Sequence, residues 1–453
     1  MEIKYLKLNK IYIIGISKCY GANINLEQSI LKVVHVDSIF ARKEDEPVLK
    51  EIKNKNNIIK SSQIFYGSKI KFILDYINEN ITKKNILILA NGDPNFFGIA
   101  GAIFNNTEEK LKKYIEVIPT ISYMQKGFAS LKISMSDSEI ISLHGRSASN
   151  LYKALYTFKN IGLYTDEINN PYSIYKILAD KGFGSYYKFY VLSNLCLKNE
   201  KILSLNIKSD KNLESQNIKK ILEEFNHTDN IVILERIINS NNYNKYDNKI
   251  EYDNVLGIND DDFIHGKGEP TKKEIRAVAL SMLELKRNSI MIDAGCGSGS
   301  VSIEAAAIAE CGMIYSIDKN KIKINNLLNN IKKFKRPNIE PILEHMPTIF
   351  NNLKDKFTEE HLKPDSIFIG GGGSSISEIL AASLELLKEN GVVVVNCVMI
   401  DTLNRVMSFI ENNKLKIKYE IISLNISRLE SISYSSYFKA LNQVYLIKII
   451  KNN

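Results

Sequence analysis

Residues 293–299 read Asp-Ala-Gly-Cys-Gly-Ser-Gly, between a strand-like run at 289–292 and a helical pattern at 301–309. Glycines at Gly295, Gly297 and Gly299 let the backbone turn sharply and come close to a ligand. The helix that follows offers its free N–H groups to the same space. The next strand-like run ends at Asp318, 23 residues after Gly295. A carboxylate there can accept hydrogen bonds from both hydroxyls of a ribose, which is why nucleoside-binding sheets use one. A tight strand–helix turn explains one glycine but not three plus the acid. Strand, loop, helix and acid together predict a nucleoside-cofactor site in an α/β fold.

The rest of the chain is large enough to build such a fold more than once. At 453 residues, 44% hydrophobic and 25% charged, it has an ordinary globular balance and room for two to four domains. Cores of that size need no disulfide or metal staple. The five cysteines, Cys19, Cys196, Cys296, Cys311 and Cys397, are scattered with no Cys-x-x-Cys, so reduced thiols and no metal site are expected. No apolar run approaches the ~18–20 residues of a membrane span. The N-terminus shows no basic start followed by an apolar run, so a cytoplasmic protein without a membrane partner is expected. Lys and Arg outnumber Asp and Glu by 33 to 25 in residues 1–238, and by 27 to 26 in 239–453. The excess is spread thinly, whereas a nucleic-acid footprint is denser. A small polyanionic substrate suits it, and no nucleic-acid partner is expected.

Residues 239–254 are polar, rich in Asn and Tyr, and aperiodic. They read as a linker between domains at 1–238 and 255–453. Before the linker, strand-like runs at 11–14, 85–90, 115–118, 139–143, 189–192 and 230–234 alternate with helical stretches, the first at 25–36. After it, runs at 289–292, 312–317, 338–343, 366–369 and 391–395 are separated by helical patterns at 301–309, 321–333, 376–387 and 403–413. Two last runs, 418–424 and 444–450, are separated only by an irregular Ser/Tyr-rich stretch, so they should pair antiparallel. This predicts an α/β protein whose second domain is a Rossmann-like, seven-stranded, mostly parallel sheet with a terminal antiparallel pair, the pattern of S-adenosylmethionine-dependent methyltransferases. The G-x-G-x-G spacing agrees better with that cofactor than with a nicotinamide dinucleotide, the alternative, whose fingerprint is G-x-G-x-x-G.

Other motifs cluster where ligands bind in open α/β sheets, just past strand ends. Gly370 and Gly371 open a run of four glycines after the fourth strand, and Asn396 ends the fifth. Thr271 is a candidate N-cap with Glu274 completing a capping box, and capping leaves room for a cofactor contact. His265 and Lys267, just upstream, have no capping task and would suit carboxylate binding. In the first domain, Gly92 and Asp93 precede Pro94 in a turn after the second apolar run.

At these residues a resemblance becomes specific. GINDDDFIHGKGEPTKKEIRAVALSMLEL, DAGCGSGSVSIEAA, FIGGGG and SRLESISYSSYFKALNQVYLI closely resemble the decarboxylating precorrin carbon-15 methyltransferases, over nearly all of 257–449. NGDPNFFG, VIPTISYMQKGFASLKIS, SLHGR, LYTDEINNP and LSNL resemble the tetrapyrrole methylases, in particular the carbon-5 enzymes. Their order resembles the fused precorrin C5,15-methyltransferases. The resemblance implies a two-lobed tetrapyrrole methylase fold for the first domain, one S-adenosylmethionine per domain, a precorrin or cobalt-precorrin substrate, and self-association. It implies cofactor contacts at Gly92, Asp93 and Ser122 beside those above. His144 and Arg146 would line the first cleft. Arg276 and Asn396 would hold the substrate in the second, with His265, Lys267 and Arg428 closest to its chemistry. Two other functions fit parts of the pattern: an RNA-modifying methyltransferase with an accessory domain, and a non-catalytic tetrapyrrole carrier.

Overall fold

Ile11-Tyr-Ile-Ile-Gly-Ile16 is buried at every position, so neither face can meet water and the segment becomes a central strand of a covered parallel sheet. A computed structural model describes the chain except residues 1–9, 17–34, 56–60, 147, 208–213, 227–228, 238–255, 267–269, 360–361, 416, 433 and 453. The linker, most of the helix expected at 25–36, and Lys267 therefore lie outside the described residues.

The first half holds two five-stranded sheets. Strands β1 (Ile11–Ile16), β2 (Ser38–Ala41), β3 (Gln63–Tyr66), β4 (Ile86–Asn91) and β5 (Ile115–Ile118) form a parallel sheet in the order β3-β2-β4-β1-β5. Strands β6 (Ser138–Ser142), β7 (Asn160–Tyr164), β8 (Tyr187–Ser193), β9 (Lys201–Asn206) and β10 (Asn230–Arg236) form the second, in the order β6-β7-β10-β8-β9, where only β6 and β7 run parallel. This is the expected two-lobed α/β arrangement.

The second half is one seven-stranded sheet, order β13-β12-β11-β14-β15-β19-β16. Strands β11 (Ile290–Ala294), β12 (Met313–Asp318), β13 (Ile339–Leu343), β14 (Ser366–Ile369) and β15 (Val392–Cys397) are parallel. The last strand, β19 (Val444–Lys451), runs antiparallel between β15 and β16 (Ile417–Leu424). Apolar cores cover both faces of the sheet. The helix Ser300–Ile308 is buried along most of its length, because it lies under other helices as well as on the sheet. The stretch expected to be irregular is instead a hairpin, β17 (Ser427–Ile432) with β18 (Ser435–Ala440). Cys196 is disulfide-bonded, against the expectation of reduced thiols. Cys296, Cys311 and Cys397 are free. Among the described residues no helix is long and apolar enough to cross a membrane.

The halves touch through the ends of helices. Tyr156, at the end of the helix Ser149–Thr157, donates its hydroxyl to the Lys335 carbonyl. Lys181, just past the helix Pro171–Asp180, donates to the Ile339 carbonyl at the start of β13. Gly182 lies so close to Lys332 that a Cβ there would come within 2.6 Å of its carbonyl oxygen. The Lys335 ammonium stands 4.7 Å from the Tyr186 ring centre. Burial pushes the Lys181 amine down to about 8, against the pull of Glu340 and Asp180.

Candidate active sites

In the second half, β11 ends in a turn with Gly295, Gly297 and Gly299 at φ 81°, 57° and 84°, left-handed values that favour glycine. The backbone N–H groups of Gly295 and Cys296 both donate to the Ile317 carbonyl, at 2.9 and 3.0 Å. Asp318, at the end of β12, accepts from the Gly297 N–H at 3.1 Å and from the Asn320 N–H at 2.9 Å. A Cβ on Gly295 would lie 3.2 Å from the Gly371 nitrogen, so the two glycine loops face each other across a narrow gap. They border two cavities of about 470 and 550 Å³. Both share Gly295, Gly370 and Lys323. The first adds Asp318 and Gly371, and the second Thr271, Gly297 and Asn396. Gly299 lines neither. A Cβ there would strike Leu327 at 2.2 Å, so this glycine admits a helix rather than a ligand.

Among the described residues, three buried polar atoms at the larger cavity have no partner: Asp293 Oδ1, Ser298 Oγ and Asn396 Oδ1. The other oxygen of Asp293 accepts from the Ser302 hydroxyl, which in turn accepts from Ser316 at 2.7 Å. Burial pushes the Asp293 carboxyl up to about 7, and the nearby Asp318 charge adds to this.

The lead-in to this half is organised differently from the expectation. The helix runs Lys273–Met282, and its N-cap is Lys272 with no side-chain cap. Asp260 accepts from the Lys273 N–H at 3.0 Å instead, so Thr271 does not cap and Glu274 closes no capping box. Arg276, expected at the substrate, is fully buried. Its guanidinium donates to Glu304 at 2.8 Å, to the Thr271 carbonyl at 2.6 Å and to the Ile258 carbonyl, and lies 4.9 Å from the Phe263 ring centre. With its donors spent inside, it is a structural tie. Arg428, expected near the chemistry, is held by Glu274 at 2.5 Å and Asp260 at 2.9 Å, and thereby fastens the β17–β18 hairpin to the lead-in helix. The hydrogen bonds from Arg428 hold the Glu274 carboxyl below the usual range. His265 is exposed, its ring 2.8 Å from the Gly266 carbonyl, and lines neither cavity.

In the first half, a 930 Å³ cavity brings together Gly92, Asp93, Ser122, His144 and Arg146. Gly15 admits the loop that shapes it: a Cβ there would sit 2.6 Å from the Gly92 carbonyl oxygen and 2.9 Å from Pro94. Asp93 accepts from the Asn95 N–H at 2.9 Å, an Asx turn. Ser122 caps the helix Tyr123–Leu131 in a reciprocal box with Gln125. Both residues thus have structural tasks as well as a place in the cavity wall. Sequence reasoning missed Asp166, although it lies in the LYTDEINNP segment. One of its carboxylate oxygens accepts from the N–H groups of Ile168 at 2.9 Å and Asn169 at 2.5 Å, and the other from the Gly145 N–H at 2.7 Å. It ties together the two loops that carry Arg146 and Ile168. Partial burial raises its pKa, but these donors outweigh that and hold it below the usual range. Tyr123 was also missed. Its hydroxyl bridges the Asp229 carbonyl and the Leu195 N–H, and burial pushes it up to about 12.

A probable cobalt-precorrin-6B C(15)-methyltransferase (decarboxylating) from Saccharolobus solfataricus is 34% identical over 196 residues, 43% of this chain and 94% of that protein. The chain belongs to the precorrin methyltransferase family. The family model for the precorrin methyltransferase domain matches residues 261–451, and that for tetrapyrrole (corrin/porphyrin) methylases matches 27–209. A precorrin-6Y C(5,15)-methyltransferase [decarboxylating] from Sinorhizobium is 24% identical over 319 residues, 70% of this chain and 69% of that one. A solved precorrin-6y C5,15-methyltransferase structure from Geobacter metallireducens matches 44% of this chain and all of its own, at 35% identity and TM-score 0.40. As a fused member of the family, the chain is a methyltransferase that uses S-adenosylmethionine.

Proposed function

We propose that residues 1–238 and 255–453 are separate catalytic domains, each with its own S-adenosylmethionine, acting on one precorrin in cobalamin biosynthesis. The amino-terminal domain methylates carbon 5. The carboxyl-terminal domain methylates carbon 15 and removes the ring C acetate carboxylate as carbon dioxide. The supporting observation is the pair of separate clefts, each beyond the ends of sheet strands and each entered through a glycine turn.

The residues of the second cleft fit the cofactor. The facing glycine loops leave a gap that a Cβ would fill, and Asp293 Oδ1 is a buried acceptor with no other use. S-adenosylmethionine supplies a methyl group already activated by its sulfonium. The protein's part is then to orient, to exclude water and to leave the electron-rich macrocycle carbon free to attack. Asp318 would hold the ribose hydroxyls, and the Gly295–Gly297 and Gly370–Gly371 backbones would lie against the cofactor. Asn396 offers a buried acceptor at the reacting end. Lys272 and Lys323, both on the larger cavity, suit the carboxylates on the substrate rim and replace Arg276 in that role. In the first cleft, Gly92, Asp93 and Ser122 would face the cofactor, and His144 and Arg146 the substrate.

Self-association in the cytoplasm belongs to the same proposal. The exposed Leu429, Ile432 and Phe438 of the β17–β18 hairpin support it. The test is mass spectrometry of products from the intact chain given S-adenosylmethionine and the unmethylated precursor. Two methyl additions and one loss of carbon dioxide are expected. A product lacking either methyl group would overturn the two-site reading.

A further inference from the structure

Phe97 has two features that packing does not explain. Its φ is 55°, in the left-handed region that side chains other than glycine rarely adopt. The residue is also 51% exposed. Nothing in the turn calls for a large residue there, and glycine would hold the same backbone with less strain. Strain kept at a cleft usually serves what the cleft binds. The ring lines the 930 Å³ cavity of the first half. It meets Phe96 edge-on, with centres 5.1 Å apart, and leans on Tyr164 at 5.6 Å. These contacts fix the direction of the ring while leaving much of it open. The other largely exposed apolar residue of the cavity is Ile168, at 80%. Its backbone is pinned by Asp166, which also pins the loop carrying Arg146.

We infer that Phe97 and Ile168 are the apolar jaws that grip the face of the tetrapyrrole macrocycle, while Arg146 meets its carboxylates. The inference rests on the carbon-5 reading of the first domain and adds the residues that select a broad, flat, apolar substrate with an anionic rim. A flat conjugated ligand gains both area and ring contact from an exposed aromatic side chain.

The test is Phe97→Gly in the full-length chain, with Phe97→Tyr beside it. For carbon-5 methylation, Phe97→Gly should raise KM for the precorrin about tenfold and change kcat little. The KM for S-adenosylmethionine and the carbon-15 reaction should stay at wild-type values. Its Tm should not fall, since glycine relieves the left-handed backbone. Phe97→Tyr should restore KM, because the ring returns. An unchanged KM in Phe97→Gly would overturn the inference and leave the carbon-5 activity standing. A fall in Tm with parallel losses in both reactions would also overturn it, making Phe97 a packing residue. If the wild-type chain adds no methyl at carbon 5, the functional reading itself fails, and the inference with it.

Discussion

Two carboxylates in the second cleft do opposite things. Asp318 is bound to the glycine turn through the Gly297 N–H, and charge-assisted bonds of this kind contribute about 1.5–3 kcal/mol each. Asp318→Ala should therefore abolish one of the two S-adenosylmethionine binding events seen by calorimetry, or weaken it at least tenfold, and leave the other intact. Two unchanged events would remove Asp318 from the site. Asp293 is the contrary case, since its folded pKa of about 7 lies above the ordinary carboxylate value. Such a group contributes stability that is complete below about pH 4 and lost as pH rises through about 7. Without cofactor, the stability of the second half should fall between pH 5 and 8 by on the order of a few kcal/mol, and its Tm should fall with it. Asp293→Asn should flatten that profile in thermal melts. At this scale the sequence was legible where backbone conformation dictates residue type, as at Gly295 and Gly297. It was misread where a long side chain can turn either way. Arg276 and Arg428 were placed at the substrate as free cations, and no spacing rule announces that Glu304, Asp260 and Glu274 will take their donors.

Elements show the same division. Long apolar runs such as 11–14, 366–369 and 391–395 were legible as strands because buried parallel strands carry no alternation to confuse. Four shorter or less apolar strands, β2, β3, β7 and β9, gave no such run. The β17–β18 hairpin was opaque for a different reason. β18 is exposed at every residue and β17 at all but one, so no face had to be apolar in a regular way. What holds the hairpin is Arg428, and this can be tested. Arg428→Met leaves Asp260, 7% exposed, with more distant cations at 3.5 Å from Arg276 and 3.9 Å from Lys272. The change should cost about 1–3 kcal/mol and open 427–440 to limited proteolysis. Arg428→Lys should recover only part, because a lysine cannot present a fork to two carboxylates. Wild-type protease resistance in both variants would show that the hairpin is held by other contacts. The lead-in helix teaches a related point. A Thr with Glu three residues on looked like a cap, but Asp260 reached the helix end from upstream in sequence.

At the scale of the whole molecule, the contact between the halves carries a titratable group. Lys181 is held at about 8 by burial, below its ordinary value. It favours the contact fully above about pH 10.5, and the benefit is lost as pH falls through about 8. Chains cut between Asn241 and Tyr252 should give two halves that each melt cooperatively and re-associate more tightly at pH 9.5 than at pH 7.5. Lys181→Met should remove that pH dependence in sedimentation or titration of one half with the other. The placing of this contact has a further consequence. It joins the start of β13 to helix ends that lie next to the start of β7, whereas both clefts lie past the far ends of strands. Among the described residues, the two proposed sites thus open away from the contact, back to back. On the two-site proposal, a precorrin that gains one methyl should leave into bulk water and find the second mouth by diffusion. The half-finished compound is then open to theft: unlabelled half-finished precorrin added in excess should dilute an isotope label out of the final product, which a sealed tunnel would not permit.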